Sequence, residues 1–267
     1  MQDEEFKTSA EETKDRNFIT ALARGLDVLR CFRPNETDLT NTDISERTNL
    51  PKPTVSRLTH TLCKLEYLVA DPRTGTYRLG AGVLQLGYGV LSGMEIGERA
   101  SEVMRALRDG PNSYITVALA ERHRIQAVYI AVQRSREELA LTMSVGSRLP
   151  LFFSAIGRAI LVGMPESDRA AAFEQARQED PNQHTARQNS YEKARAEYET
   201  LGYCTGYGDW RPDVNGIAVP VCSLNGARIY GLNVGGPSFH VKKRQLEGYY
   251  AKHLIEAAAA LSQRPPA

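Results

Sequence analysis

Apolar residues recur at helical spacing in the first part of the chain and predict three helices there. The stretch 19–32 predicts an amphipathic helix that packs beneath the next two, with an apolar stripe of Leu22, Leu26, Leu29 and Phe32. A second helix begins after Thr40 or Thr42, either of which can cap it, and breaks at 49–51. A third has Pro53 in its first turn, where a missing N–H costs nothing. Its core-facing stripe is Val55, Leu58, Leu62 and Leu65.

The pattern then changes from helical spacing to alternation. Tyr67 and Val69 alternate with polar neighbours, 71–75 makes a turn, and Tyr77 and Leu79 alternate back. This predicts a β-hairpin directly after a helix–turn–helix. The combination is the outline of a winged helix-turn-helix, which binds double-stranded DNA.

The outer face of the third helix carries the polar and cationic residues that such a domain would present to DNA. A cationic hairpin tip is also well placed for phosphates or the minor groove, and a residue of the first helix can touch a phosphate, although a plain surface charge explains each of these equally well. The candidate DNA-binding residues are Arg24, Lys52, Pro53, Thr54, Ser56, Arg57, His60, Lys64 and Arg73.

Beyond Gly80, a glycine-containing helical pattern predicts a linker and dimerisation helix. Strand-like alternation in 113–120 and 125–133, around a turn at 121–124, predicts a hairpin, and LALTM (139–143) a further short strand. Ser154 precedes an apolar helix, and helices near 165–178 and 190–202 follow. Two strands around the turn 224–226 and a helix from Val241 to Leu261 complete the pattern. This order predicts an α+β fold with an antiparallel sheet flanked by helices.

Length and composition fit about two domains, with 267 residues and 42% hydrophobic content. A net charge of +1 means that any DNA-attracting field must be local. The four cysteines have no metal or redox spacing, so we expect reduced thiols, no metal and no cofactor. No stretch is apolar enough to span a membrane and no signal peptide is evident, so we expect a cytoplasmic protein without membrane contact.

Several motifs together resemble the IclR-type family of bacterial transcriptional regulators. In the first half these are AxxRGLxVLxxF, LPKPTVSRLxxTLxxLxYL, DPRTGTYRLG and VLQLG. In the second half they are SRLPLFFSAIGRAIL, GYCTGYGDWRPDVNGIAVPV and ARIYGLNVGGP. The resemblance covers nearly the whole chain in the right order. It implies an N-terminal winged helix-turn-helix, a linker/dimerisation helix and a C-terminal GAF/PAS-like effector-binding domain.

The resemblance also implies a homodimer, often paired into a homotetramer, that binds a palindromic operator and responds to a small organic acid; RNA polymerase is a further candidate partner. The acid would bind where the apolar helix opens and the last strands pass, beneath a covering loop. The candidate effector-binding residues are Phe152, Ser154, Ala155, Ile156, Asp209, Trp210, Pro220, Asn233 and Gly235. Ser154 as a simple helix cap has equal weight. Because family members often place serine or cysteine where this chain has Pro220, Asn233 and Gly235, an aromatic or larger acid is favoured weakly over a glyoxylate-sized one.

The expected domains are an acidic disordered tail (1–16), the winged helix-turn-helix (17–80), the linker helix (81–99) and the effector-binding domain (100–263). An interaction or sensor module without DNA binding is an alternative, which the cationic outer face argues against. A serine- or cysteine-dependent enzyme using Ser154, Cys222 and His240 is a weaker one, because GxSxG and other catalytic motifs are absent.

Overall fold

The computed structural model describes residues 17–33, 36–92, 95–137 and 143–262, and the chain divides between Ser92 and Gly93 into two compact units. The predicted linker 81–99 spans this division. The predicted tail 1–16 lies outside the described residues, as does nearly all of the predicted strand 139–143.

The first unit contains the predicted three helices and hairpin. Its elements are α1 (Thr20–Arg30), β1 (Leu39–Thr40), α2 (Asn41–Thr48), α3 (Lys52–Lys64), β2 (Leu68–Asp71), β3 (Thr76–Leu79) and α4 (Ala81–Ser92). The strands form an antiparallel sheet in the order β1–β3–β2. The two-residue β1, which pairs with β3 through Leu39 and Thr40, was not anticipated from the sequence.

Local chemistry fixes the start of α2 and the turn after it. Thr40 Oγ1 accepts a hydrogen bond from the Asp43 N–H, and Asp43 Oδ2 accepts one from the Thr40 N–H, so two otherwise unpaired backbone donors are satisfied. Thr40 is therefore the cap, rather than Thr42. At the other end, Asn49 adopts a left-handed conformation, with φ of 55°, and turns the chain toward α3.

Two predicted core stripes are only partly correct. In α1, Leu29 of the predicted stripe packs against the core with Val28, and Phe32 just beyond the helix is buried. Leu22 and Leu26, nearer the start of the helix, are exposed. In α3, Val55 and Leu62 are buried as predicted, but Leu65 lies at the end of the helix and is exposed. A single short helix leaves some apolar surface uncovered, and the spacing alone does not tell which part.

The second unit is built on a six-stranded antiparallel sheet in the order β6–β5–β4–β9–β8–β7. Its strands are β4 (Thr116–His123), β5 (Gln126–Gln133), β6 (Arg148–Pro150), β7 (Cys204–Tyr207), β8 (Val214–Cys222) and β9 (Ile229–Pro237). The predicted turn 121–124 is shorter than expected, since His123 still pairs with Gln126. The short β7 was not predicted.

Helices cover both faces of this sheet. The helices are α5 (Glu95–Arg108), α6 (Ala155–Gly163), α7 (Glu166–Glu179) and α8 (His184–Leu201), the last after a 3-10 turn, and a final helix made of α9 (Lys243–Gln245), a π-helical turn (Leu246–Tyr250) and α10 (Ala251–Ser262). One core lies between the sheet, α5 and the final helix, and a second lies between the sheet and α6–α8. The predicted α+β class, with an antiparallel sheet flanked by helices in the second unit, is confirmed.

Alternation along the strands makes the two faces unlike. The face toward α5 and the final helix carries large residues, such as Leu119, Ile217 and Leu232. The opposite face carries small or polar ones, including Ala118, Ala218 and Asn233. Small side chains let α6 lie close to the sheet and leave space beside its N-terminus. No described helix is both long and apolar enough to cross a membrane.

Candidate functional site

The outer face of α3 forms the first candidate site. Of the residues predicted on it, Lys52, Ser56, Arg57, His60 and Lys64 are all exposed. Within the part of the chain that the structure describes, their side chains make no hydrogen bond or ion pair. They are therefore available for an external partner. The helix contains three basic side chains and no acidic one, which concentrates positive charge locally despite the near-neutral chain.

The other predicted DNA-binding residues differ from one another in exposure and in pairing. Pro53 is exposed in the first turn of α3 and Thr54 is partly buried beside it. Arg24 is exposed on α1. Arg73 at the hairpin tip is exposed but pairs weakly with Asp71 at 3.5 Å, and Asp71 Oδ1 also accepts the Arg73 N–H. The tip is thus held as a turn by its own aspartate.

The second candidate site is a cavity between the N-terminus of α6 and the small-residue face of the sheet. Its volume is about 30 Å³, room for roughly two water molecules. Residues from seven helices and strands, and from the loops between them, line it: Thr116, Tyr129, Met143, Leu149, Ser154, Ala155, Ile156, Gly206, Trp210, Val214, Asn215, Gly216, Asn233, Gly235 and Gly236.

Six of the nine predicted effector residues meet at this cavity, namely Ser154, Ala155, Ile156, Trp210, Asn233 and Gly235. The other three do not line it. Phe152 is buried against Phe173 in the second core, and Pro220 packs beside Gly163. Asp209 turns instead toward Arg158, with Oδ2 2.5 Å from Nη1.

Ser154 is the N-cap of α6, and its hydroxyl is fully engaged. Oγ donates to the Pro150 carbonyl at 2.8 Å and accepts from the Gly157 N–H at 3.1 Å. This supports the cap interpretation and leaves no role for Ser154 as a nucleophile. The N–H groups of Ala155 and Ile156, by contrast, have no intrahelical partner and belong to residues that line the cavity. A helix N-terminus of this kind attracts an anion.

Polar groups on the sheet complete the cavity. The Asn233 side chain hydrogen-bonds to the Tyr129 hydroxyl, and its Oδ1 is buried without a partner among the described residues. Burial raises the pKa of Tyr129, against the opposing effect of that hydrogen bond, so the phenol stays protonated. The Asn215 amide donates to the Val241 carbonyl at 2.9 Å. An unpaired buried acceptor is costly and favours a ligand that donates to it.

Close approach at Gly206 shapes the same region. A Cβ on Gly206 would lie 2.9 Å from the Ala155 nitrogen, so any larger residue would crowd the start of α6. Sequence reasoning missed Gly206, Tyr129, Thr116 and Asn215. For Asn215 the available signal was a polar residue in an otherwise apolar strand.

The His, Cys, Asp and Glu side chains of the described residues are dispersed. No group of three or more His, Cys, Asp or Glu side chains there is arranged to hold a metal ion. All four cysteines are unpaired, and burial raises the pKa of Cys204 to about 12.

Family models and known proteins match this architecture. A model of the IclR helix-turn-helix domain matches residues 21–72, and one described as "Bacterial transcriptional regulator IclR C-terminal" matches residues 88–263. The chain is 36% identical over 222 residues to the HTH-type transcriptional regulator TsaQ1/TsaQ2 of Comamonas testosteroni, covering 82% of this chain and 79% of that protein.

Two solved structures extend the comparison. An IclR family transcriptional regulator from Brucella abortus matches with 41% identity, a TM-score of 0.83 and 97% coverage of both chains. An IclR homologue from Microbacterium hydrocarbonoxydans, solved in complex with 4-hydroxybenzoate, matches in fold, with 23% identity, a TM-score of 0.65 and coverage of 91% of this chain and 97% of that one. The relatives are transcriptional regulators and not enzymes. The protein belongs to the IclR family of bacterial transcriptional regulators, with a DNA-binding helix-turn-helix domain and an effector-binding C-terminal domain.

Proposed function

We propose that the protein binds a specific operator through the exposed face of α3 and the β2–β3 wing, and that a small organic acid in the C-terminal cavity modulates this binding. The observation that supports operator binding is the set of exposed, unpaired side chains on α3. Arg57 and the N-terminal residues of α3 would read base edges, since the start of a recognition helix meets the bases. Lys64 and Arg73 would contact phosphates.

We also propose that a second copy of the chain completes the DNA-binding unit. Phe18, Ile19 and Leu22 are exposed at the start of the chain's first helix, and Leu84 and Tyr88 are exposed on α4. Large apolar side chains in such numbers are costly to leave in water. A symmetric dimer would cover them and present two recognition helices to a palindrome. Sedimentation of the intact protein distinguishes monomer, dimer and tetramer.

The organic acid is proposed from the chemistry of the cavity. The free N–H groups of Ala155 and Ile156 suit a carboxylate, and Tyr129 and Trp210 supply aromatic walls. The unpaired Oδ1 of Asn233 suits a hydroxyl donor on the same ligand. A hydroxylated aromatic acid carries both groups, and 4-hydroxybenzoate is the ligand of the Microbacterium homologue. Because the cavity holds only about two water molecules, such a ligand enters only if a wall moves.

A gel shift on the intergenic DNA upstream of the protein's gene, at fixed salt and with scrambled competitor DNA, tests whether the protein binds a specific operator. We expect a competitor-resistant shift. Absence of a shift with folded protein on this and neighbouring promoters would favour an interaction module. Such a regulator acts where the chromosome is, so we propose a cytoplasmic location, with RNA polymerase as a further partner.

Calorimetry with 4-hydroxybenzoate, benzoate and glyoxylate tests the ligand half. We expect 4-hydroxybenzoate to bind more tightly than benzoate by about threefold to tenfold, the worth of one added hydrogen bond of about 0.5–1.5 kcal/mol. Each binding acid is then added to the gel shift, where it should change operator affinity. Binding of glyoxylate alone would contradict the hypothesis that the effector is an aromatic acid and would leave the hypothesis of a small organic acid intact.

A further inference from the structure

We propose that Arg158 is a positioning residue of the cavity: its ion pair with Asp209 fixes the loop between β7 and β8 and holds Trp210 against the cavity, so that ligands enter and leave when this pair opens. The inference rests on the proposed function of the cavity. It assigns a role to two charged residues, Arg158 and Asp209, that do not themselves line it.

The Arg158 guanidinium is held from three directions. It is buried on α6, one turn beyond the helix N-terminus that faces the cavity. Nε donates to Ser190 Oγ on α8 at 2.9 Å, and Nη1 donates to the Thr205 carbonyl at 2.8 Å and to Asp209 Oδ2 at 2.5 Å. Ser190 in turn donates to the Phe152 carbonyl. Arg158 is thus a rigid anchor, and Asp209 is the loop residue that reaches it.

The loop itself is tight and has a second, separate ion pair. Gly208 has φ of 78°, and its N–H donates to the Val214 carbonyl at 2.9 Å. Arg211 pairs with Asp213 at the surface, with N–O distances of 3.0 and 2.5 Å. That pair closes within the loop, where the Arg211 guanidinium also lies 5.6 Å from the centre of the Trp210 ring. Trp210, which lies between the two pairs, contributes the loop's aromatic wall to the cavity.

The Arg158–Asp209 pair is the more buried of the two. A buried guanidinium without a counter-charge is costly, so Arg158 strongly favours a loop position that supplies a carboxylate. Burial by itself would raise the pKa of Asp209, but the hydrogen bond and charge of Arg158, with Lys193 3.5 Å away, hold that pKa below its ordinary value. The carboxylate therefore stays charged at neutral pH and the loop stays closed.

The structure of the cavity lining indicates which part of it can shift to admit a ligand. Apart from the N-cap Ser154, the described lining residues outside helices and strands are Met143 and Trp210. Strand and helix residues are held by their ladders, whereas Trp210 is held by its loop. A cavity of about 30 Å³ admits an aromatic acid only after a wall shifts, and displacement of Trp210 breaks no ladder hydrogen bond.

The test uses Trp210 as its own probe, since it is the chain's single tryptophan. Asp209→Asn keeps the shape and removes the charge; Asp213→Asn in the same loop is the matched control, and Asp209→Glu is the conservative rescue. Acrylamide quenching is measured on ligand-free protein, and stopped-flow fluorescence gives the dissociation rate of 4-hydroxybenzoate. For Asp209→Asn we expect severalfold stronger quenching and about tenfold faster dissociation, with unliganded DNA affinity unchanged.

Quenching and dissociation in Asp209→Asn equal to those of the wild-type protein would overturn the proposal. If Asp209→Asn fails to fold by circular dichroism, the double variant Arg158→Met with Asp209→Leu removes the pair without leaving a buried charge, and the same increases are expected of it. Ligand-free quenching reports on the loop alone. Increased quenching together with no response to any acid would therefore reject the effector function and keep the role of Arg158.

Discussion

A methyl group at Gly206 should block the anion site while sparing DNA binding. In Gly206→Ala, the new Cβ would lie 2.9 Å from the Ala155 nitrogen and 3.0 Å from the Ala155 Cβ. A carboxylate oxygen accepting from the same N–H needs a similar distance, so we expect the methyl group to crowd the ligand. The substitution tests directly whether the N-terminus of α6 binds the acid.

The magnitude follows from the hydrogen bonds lost. A hydrogen bond to a charged group contributes about 1.5–3 kcal/mol, so displacing the carboxylate from even one N–H should weaken binding about tenfold or more. Crowding of backbone atoms should also cost about 1–3 kcal/mol of the stability of the C-terminal unit. Calorimetry with 4-hydroxybenzoate measures the first effect and urea unfolding measures the second.

Gly216→Ala is the matched control, because Gly216 also lines the cavity but its added Cβ would meet the Val234 carbonyl at 3.3 Å and nothing of α6. It should keep most of the ligand affinity. Unchanged affinity in Gly206→Ala, with the fold intact, would refute the placement of the carboxylate at Ala155. Retained operator binding together with a lost response to the acid would support it.

Three further expectations concern the rest of the molecule. Arg57→Ala should lower the binding free energy by about 1–3 kcal/mol on the operator and by little on random DNA. Lys64→Ala should weaken binding to both DNAs alike and lower its salt dependence. Equal losses on operator and random DNA for both variants would contradict these two roles. Thr40→Ala should lower the free energy of unfolding of the DNA-binding unit by about 1 kcal/mol through loss of the α2 cap, with Thr42→Ala as the neutral comparison in the same thermal melt. The pKa of Asp209 in the folded protein lies below its unfolded value near 3.9. The ion pair with Arg158 should therefore contribute fully to the free energy of unfolding above about pH 5, and this contribution should be lost as the pH falls through the folded pKa. Urea unfolding against pH should show this loss in the wild type and a smaller one in Asp209→Asn.

The sequence was most informative where a structure is specified by neighbouring residues. The cap at Thr40, the break after Asn49 and the hairpin turn at 71–75 each depend on contacts a few residues apart. Ser154 as a helix start belongs to the same class. Spacing was a weaker guide to burial, since Leu22, Leu26 and Leu65 follow a helical stripe and yet are exposed.

The cavity could be only partly predicted. Motif resemblance placed Ala155 and Asn233 together, because the family fold brings these segments to one place, and the loop of Trp210 was predicted to cover them. The resemblance also included Phe152 and Pro220, which lie close in sequence to lining residues but point into packed regions. Side-chain direction within a strand or at a helix entry depends on register and on what packs opposite, and neither is encoded locally.

The sequence by itself therefore determined the winged helix-turn-helix, the α+β order of the second half and the cationic outer face of α3, because period, caps and turns are local properties. Only the tertiary structure decided which N–H groups of α6 remain free, that Asn233 keeps an unpaired oxygen, and that Arg158 meets Asp209. These arise between residues distant along the chain. Their geometry is set by how closely α6 lies on a face of small residues, and that closeness exists only once the sheet has formed.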